Sequence, residues 1–182
     1  MSQLVQLKQK RLLMKYFNGF SLNGEEYFFK EQLIKSDFAV AGFSYGAVKA
    51  FEYVYQTSNR VDRLILLSPA FFQNHKTSFV RTQLRYYRAD KEAYTKQFLE
   101  NVAYPSSIDL KEYLASGTVE ELEILLSYSW DITKIKELLQ RGVIIEVYIG
   151  ESDKIVDAGK SFEFFKELVP CYFIKDVGHL LK

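Results

Sequence analysis

The chain has 182 residues, 48% hydrophobic, 16% aromatic and 26% charged, with 24 Lys and Arg against 23 Asp and Glu. That content supports one packed domain, burying roughly two-thirds of its unfolded surface, and excludes wholesale disorder. A net charge of +1 argues against nucleic-acid binding through global positive charge, and one cysteine with two histidines (Cys171, His75, His179) allows neither an internal disulfide nor a Cys/His metal cage.

In chain order, Met1 to Lys15 has charges breaking every apolar run, with no hydrophobic signal region and no small-residue cleavage site. No stretch approaches the roughly 18 uncharged apolar residues of a membrane span. The expectation is a cytoplasmic protein with no membrane and no nucleic-acid partner. The first strand is expected at Arg11 to Phe17, ending in the turn signal Asn18-Gly19, and a short helical segment at Gly24 to Lys35. Further strands are expected at Asp37 to Phe43, Val61 to Leu67, Val143 to Ile149 and Cys171 to Val177. The central runs are nearly continuous in apolar residues, as in strands covered on both faces.

Between Ala70 and Arg141 the spacing is helical: Val80, Leu84 and Tyr87 recur on one face, as do Tyr94, Phe98 and Val102, and Glu120 to Tyr128 reads as another helix. Tyr104-Pro105-Ser106-Ser107 should break the run. The pattern predicts an α/β domain spanning 1–182 with about five parallel strands, flanking helices, and a helical cap inserted at approximately 71–141 between the third and fourth strands.

The chemistry concentrates at Gly42-Phe43-Ser44-Tyr45-Gly46, between an apolar strand and a helix whose Ala47, Ala50, Phe51 and Val54 share a face. A G-x-S-x-G turn from strand to helix holds its serine in strained backbone geometry, with glycines where side chains would collide. Ser44 is therefore the candidate nucleophile. His179, in Val177-Gly178-His179-Leu180, follows the last expected strand at the sheet edge where Ser44 emerges, and is the candidate base. His75, in polar Gln73-Asn74-His75-Lys76, reads as a solvated loop residue near the pocket mouth. The acid is expected in the turn after the fourth strand, where Asp153 is preferred, Glu151 is the alternative and Asp157 reads as the cap of the next helix. An oxyanion needs two backbone donors: the Tyr45 N–H supplies one, and the Phe20 N–H, from Asn18-Gly19-Phe20-Ser21, is the choice for the second. No metal or organic cofactor is needed for this chemistry.

Together these residues resemble the α/β-hydrolase superfamily. Asn18-Gly19-Phe20 is similar to its HGxx loop with Asn in place of His, Gly150 to Val156 to its G-x-x-D-x-x-V acid loop, and Gly178-His179 to its terminal G-H. The resemblance implies a reduced α/β-hydrolase fold, because only about seventeen residues separate the Phe20 loop from Asp37. An additional strand and helix usually lie there, and their loss is expected to open the substrate face on that side. It also implies the chain order serine, acid, histidine. Within the superfamily, the short length, the Asn-Gly-Phe loop, the Gly-Phe-Ser-Tyr-Gly elbow and the stretches Ser78 to Tyr104 and Leu122 to Trp130 are similar to the compact pimeloyl-[acyl-carrier protein] methyl ester esterases of Helicobacter-type biotin synthesis. That resemblance implies hydrolysis of one methyl ester on a dicarboxylate chain carried by acyl-carrier protein, the expected partner.

Arg81, Arg85 and Arg88 lie at i, i+4 and i+7 on one predicted helix face, flanked by Lys76 and Lys96. In light of the resemblance this face is a candidate contact for the acidic carrier protein or the phosphate of its prosthetic arm; by itself it reads as a solvated helix face. Phe71, Phe72, Phe79, Tyr86, Tyr87 and Tyr94 are candidates for core or for an acyl channel, with none assigned individually. Two rival functions stay open: a hydrolase of other carboxyl esters or acyl thioesters, and a non-catalytic hydrolase-like binding protein.

Overall fold

The computed structural model describes residues 14–182; Arg11 to Leu13, the start of the first expected strand, lie outside them. Five strands, β1 (Lys15–Phe17), β2 (Ala39–Phe43), β3 (Arg63–Leu67), β4 (Ile144–Gly150) and β5 (Cys171–Ile174), form one parallel sheet whose spatial order follows the chain. Phe17 pairs with Gly42, Phe43 with Leu67, Leu67 with Tyr148 and Gly150 with Ile174, so all five carboxyl ends reach the same edge. β2, β3 and β5 are shorter than the expected strands, and Lys175 to Val177 already belong to the loop leaving β5, whereas β4 keeps its expected length one residue further on.

Among the described residues six α-helices accompany the sheet: α1 (Tyr45–Gln56), α2 (Thr77–Ala89), α3 (Lys91–Ala103), α4 (Val119–Ser127), α5 (Ile132–Gln140) and α6 (Ala158–Lys166). Ala47, Ala50, Phe51 and Val54 of α1, Ile135 and Leu138 of α5 and Phe165 of α6 pack with Val40, Leu64, Leu66, Ile145 and Val147. On the other face Ala41, Phe43, Ile65 and Leu67 meet Leu22, Phe29, Val102, Leu110 and Leu180. Period-two alternation sends successive residues of each strand to these two clusters. Among the described residues that second layer holds only the end of α3 and short irregular segments. β2 and β3 are consequently covered on both faces, as their continuous apolar runs imply, while β4 alternates: Glu146 and Tyr148 are half-buried, and Tyr148 stacks on the exposed Tyr172 at 4.8 Å.

The segment expected to be helical from Gly24 to Lys35 contains a 3-10 helix at Glu25–Phe29 instead. Glu25 and Phe29 are buried there, Phe29 against Phe43, and after a turn closed on the Phe29 carbonyl the chain heads for β2. A single tight turn suffices where only two side chains need burial.

α2, α3 and α4 pack on one another as the cap, with α2 between the other two, whereas α5 sits on α1. Side-chain caps set the helix starts: Asp90 for α3, the Thr118/Glu121 capping box for α4, Asp131 for α5 and, as expected, Asp157 for α6. The cap is fixed to the sheet layer by Trp130, whose ring meets Phe51 and Phe165 and whose Nε1–H donates to the Ala70 carbonyl at 2.9 Å. No described helix is long and apolar enough to cross a membrane.

Candidate active site

Each strand delivers one element of the site just past its carboxyl end. At the end of β2, Ser44 adopts φ 55° and ψ −115°, a conformation that a non-glycine residue holds only where its surroundings enforce it. Three backbone hydrogen bonds do so: the Ser44 N–H donates to Leu67 O at 2.9 Å, and its carbonyl accepts from Ala47 and Ala70, each at 3.1 Å. The flanking glycines are sterically required. A Cβ on Gly42 would overlap the Gly46 carbonyl, and one on Gly46 would overlap the Phe17 carbonyl at the end of β1.

His179, beyond β5, is fully buried, and its Nε2 lies 2.8 Å from Ser44 Oγ. Its Nδ1 lies 2.6 Å from Asp153 Oδ2, with both side chains shielded from solvent. The other carboxylate oxygen of Asp153 accepts from the backbone N–H groups of Ile155 at 2.7 Å and Val156 at 3.0 Å. Asp153 is thus both the structural residue of its turn and the partner of the imidazole. Glu151 is exposed and makes no contact with His179. An acid on Nδ1 fixes the imidazole tautomer that leaves Nε2 able to accept the hydroxyl proton.

The loop after β1 runs directly beneath the elbow, since the carbonyls of Phe17 and Asn18 press against Gly46. Among the described residues the N–H groups of Phe20 and Tyr45 have no hydrogen-bond partner, which leaves both free for an incoming oxyanion. Phe20 anchors this loop to the cap by packing its buried ring on Phe98 and Tyr87. On the side expected to be open, Ser21 to Asn23 pair antiparallel with Tyr113 to Ala115, through Asn23 N–H to Tyr113 O and Ala115 N–H to Ser21 O, and a cavity lined by Ser21 and Leu114 to Ser116 opens beside that pairing.

A cavity of about 420 Å³ lies under the cap, walled by Phe72, His75 and Phe79, by Tyr94 and Phe98 of α3, by Leu122 and Leu126 of α4, and by the Asp153 to Asp157 turn. That volume falls in the range of about 300–1,000 Å³ common for small-molecule sites. A larger cavity of about 840 Å³ opens between Thr95 and Leu99 of α3 and the Ile108 to Ser116 segment, and none of Ser44, Asp153 or His179 lines it. Of the three, Asp153 alone lines the smaller cavity, and Ser44 and His179 lie buried behind its wall. Of the six candidate channel aromatics, Phe72, Phe79 and Tyr94 line it; Phe71 packs on Phe164 and Phe165, Tyr87 bonds the Gly117 carbonyl, and Tyr86 is exposed. His75 stacks on Phe79 at 4.2 Å in the cavity wall and is exposed, consistent with a place at the mouth. Arg81, Arg85 and Arg88 are exposed on α2, beside the buried Leu84 and Tyr87, and form no ion pair among the described residues.

Two contributors escape sequence reading. Ser68, past β3, is fully buried and donates its hydroxyl to the His179 carbonyl at 2.6 Å, fixing the backbone of the base. Glu25, also fully buried, accepts from the Gly19 N–H at 2.7 Å. Ser68-Pro69 reads as the turn closing the third strand, and Glu25 falls within the expected helical segment with nothing in its spacing to mark it.

No family model matches the sequence, and no curated protein matches it. Solved structures do. The carboxylesterase CesB from Bacillus subtilis superposes with a TM-score of 0.63 at 14% identity, over 92% of this chain and 77% of that one. The fold is that of the α/β-hydrolases. An esterase from Exiguobacterium antarcticum (TM-score 0.60, 18% identity) matches 78% of this chain, which spans 59% of that enzyme's length. BioG from Haemophilus influenzae (TM-score 0.57, 10% identity) matches over 92% of this chain and 88% of its own. The hydrolase fold is present here in shortened form, with all five strand ends still serving one site.

Proposed function

We propose that this protein is a serine hydrolase of carboxylic esters, with Ser44 as nucleophile, His179 as base, Asp153 as its orienting acid, and the Phe20 and Tyr45 N–H groups as oxyanion donors. The observation that carries the reading is the unbroken chain from Ser44 Oγ through His179 to Asp153, at 2.8 and 2.6 Å, with the serine held in a strained elbow. Ser44 attacks the ester carbonyl as His179 takes its proton, the collapsing intermediate expels an alcohol protonated by His179, and water releases the acid by the same steps. A binding protein without activity has no use for strain at Ser44 or for a buried imidazole–carboxylate pair.

The substrate we propose is the methyl ester of a dicarboxylate chain borne by acyl-carrier protein, as in the pimelate branch of biotin synthesis, with the alcohol released as methanol. The apolar and aromatic walls of the 420 Å³ cavity suit an acyl chain. The exposed Arg81, Arg85 and Arg88 face suits an acidic carrier or a phosphate. The test follows release of free pimeloyl-carrier protein from its methyl ester by the native protein, by Ser44→Ala, and by a variant with Arg81 and Arg85 both reversed to Glu. Turnover by the native protein and none by Ser44→Ala is expected, with the reversed variant slow on the carrier substrate and unimpaired on a small soluble ester. Cleavage of small esters without conversion of the carrier substrate would retain the hydrolase and overturn the substrate. Equal loss on both substrates would remove the arginines from carrier recognition.

A further inference from the structure

We infer that Glu25 is a positioning residue for ester hydrolysis: through its bond to the Gly19 N–H it sets which amide of the loop after β1 is presented to the oxyanion. The inference rests on the serine-hydrolase reading and adds a residue to it.

The loop from Asn18 to Gly24 is tied at two points. Asn18 Oδ1 accepts from the Gly24 N–H at 3.2 Å, and its Nδ2–H donates to Asn23 Oδ1 at 3.3 Å, closing the outer side. On the inner side Glu25 Oε1 accepts from the Gly19 N–H at 2.7 Å and from the Tyr16 hydroxyl at 3.3 Å. The short distance to Gly19 is that of a strong, charge-assisted bond. Gly19 is thereby committed, while the next amide, Phe20, has no partner among the described residues. The Asn18–Gly19 peptide cannot rotate without breaking the buried Glu25 contact, and the Gly19–Phe20 peptide that follows is held by the Leu22 N–H donating to the Gly19 carbonyl at 3.3 Å and by the Phe20 ring on Phe98 and Tyr87. An oxyanion donor is effective because it is fixed before charge develops.

Glu25 is a costly way to supply an acceptor. It is fully buried, and its Oε2 has no hydrogen-bond partner among the described residues. Burial raises its carboxyl pKa, the Gly19 N–H opposes that shift, and Glu26 adds to it. A negative charge beside a site that stabilises an alkoxide also opposes the reaction electrostatically. Its value to the site therefore lies in the acceptor oxygen and its placement, rather than in the charge.

The experiment measures the rate at which a fluorophosphonate phosphonylates Ser44, with kcat and KM for a small chromogenic ester, in the full chain and in Glu25→Gln, Glu25→Asp and Glu25→Met. Losing one oxyanion donor costs about 10²–10³ in rate, and a mispositioned one a share of that. Glu25→Met, close in size but without an acceptor, should lower kcat and the labelling rate by roughly tenfold or more with KM little changed. Glu25→Asp, which keeps the charge but withdraws the oxygen by a methylene, should also be slow. Glu25→Gln restores the carbonyl acceptor and should recover most of the lost rate. If Met fails to fold, the Asp and Gln pair decides the matter alone. Equal rates in all variants, or Gln as slow as Asp, would overturn the inference while labelling of the native protein keeps the hydrolase reading. No labelling of the folded native protein would overturn both.

Discussion

Asp153 divides its two oxygens between tasks that sequence reading treats as alternatives: one holds the turn through Ile155 and Val156, the other orients His179. The same economy predicts how the two histidines differ. His179→Ala should lower fluorophosphonate labelling by about 10⁴ or more, as expected for loss of a triad base. His75→Ala should keep labelling within about tenfold, because His75 stacks on Phe79 and makes no hydrogen bond to Ser44. Gel fluorescence against time reads both, and equal losses would reassign the base. Glu25 supplies a stability prediction whose sign is fixed by burial. Its folded carboxyl is shifted upward, so its stability contribution is fully present below the unfolded pKa and is lost as pH rises through the folded one. Thermal scans should find Glu25→Gln level with the native protein near pH 4 and higher in Tm near pH 7, by roughly 2–4 °C per kcal/mol in a chain of this size. A gap that widened toward acid would contradict the burial argument. Ser44, Asp153 and His179 could be picked out because each follows an apolar strand in a motif of fixed spacing. Ser68 and Glu25 could not, since what defines each is a buried partner 111 and 6 residues away, and nothing local distinguishes such a serine or glutamate from a solvated one.

At the scale of elements, the elbow works because three backbones pass within contact of one another at β1, β2 and α1. Gly46→Ala would place a methyl group on the Phe17 carbonyl, and either the helix must lift or β1 must leave the sheet. Overpacking of this kind costs roughly 1–3 kcal/mol or more. The expected outcome is a fall in Tm together with loss of labelling, measured on the same preparation, and an unchanged Tm would show that β1 yields freely. The strands were legible because apolar runs bounded by Asn-Gly, Ser-Pro and similar signals leave little choice of element. Their ends were less so: the expected fifth strand runs to Val177, whereas β5 stops at Ile174, where the charged pair Lys175-Asp176 begins the loop. The pairing of Ser21 to Asn23 with Tyr113 to Ala115 joins segments about ninety residues apart, and the 3-10 turn at Glu25–Phe29 is set by Phe29 on Phe43 and Glu25 on Gly19, which hydrophobic spacing along the sequence does not encode. That pairing spans the flank where the shortened connection between β1 and β2 implied an opening, and the larger cavity opens beside it.

For the whole molecule, the carboxyl ends of the five strands reach one sheet edge, where Ser44, Asp153 and His179 come together. All five strands contribute there, although the second face of the sheet is thinly covered at β4 and β5. The cap is joined to the sheet by Trp130 on one side and by Phe20 on the other. Phe20 is the more consequential joint. Its ring belongs to the cap, while its backbone amide, in the mechanism proposed above, belongs to the chemistry. Substrate choice and catalytic rate are therefore not separately adjustable here. A directed-evolution library at Phe98, which both lines the cavity and supports the Phe20 ring, should shift turnover of every ester in the panel along with preference among them. Selectivity without a change in rate would have to be sought on the far wall, at Leu122 and Leu126, where no side chain doubles as a support for the oxyanion.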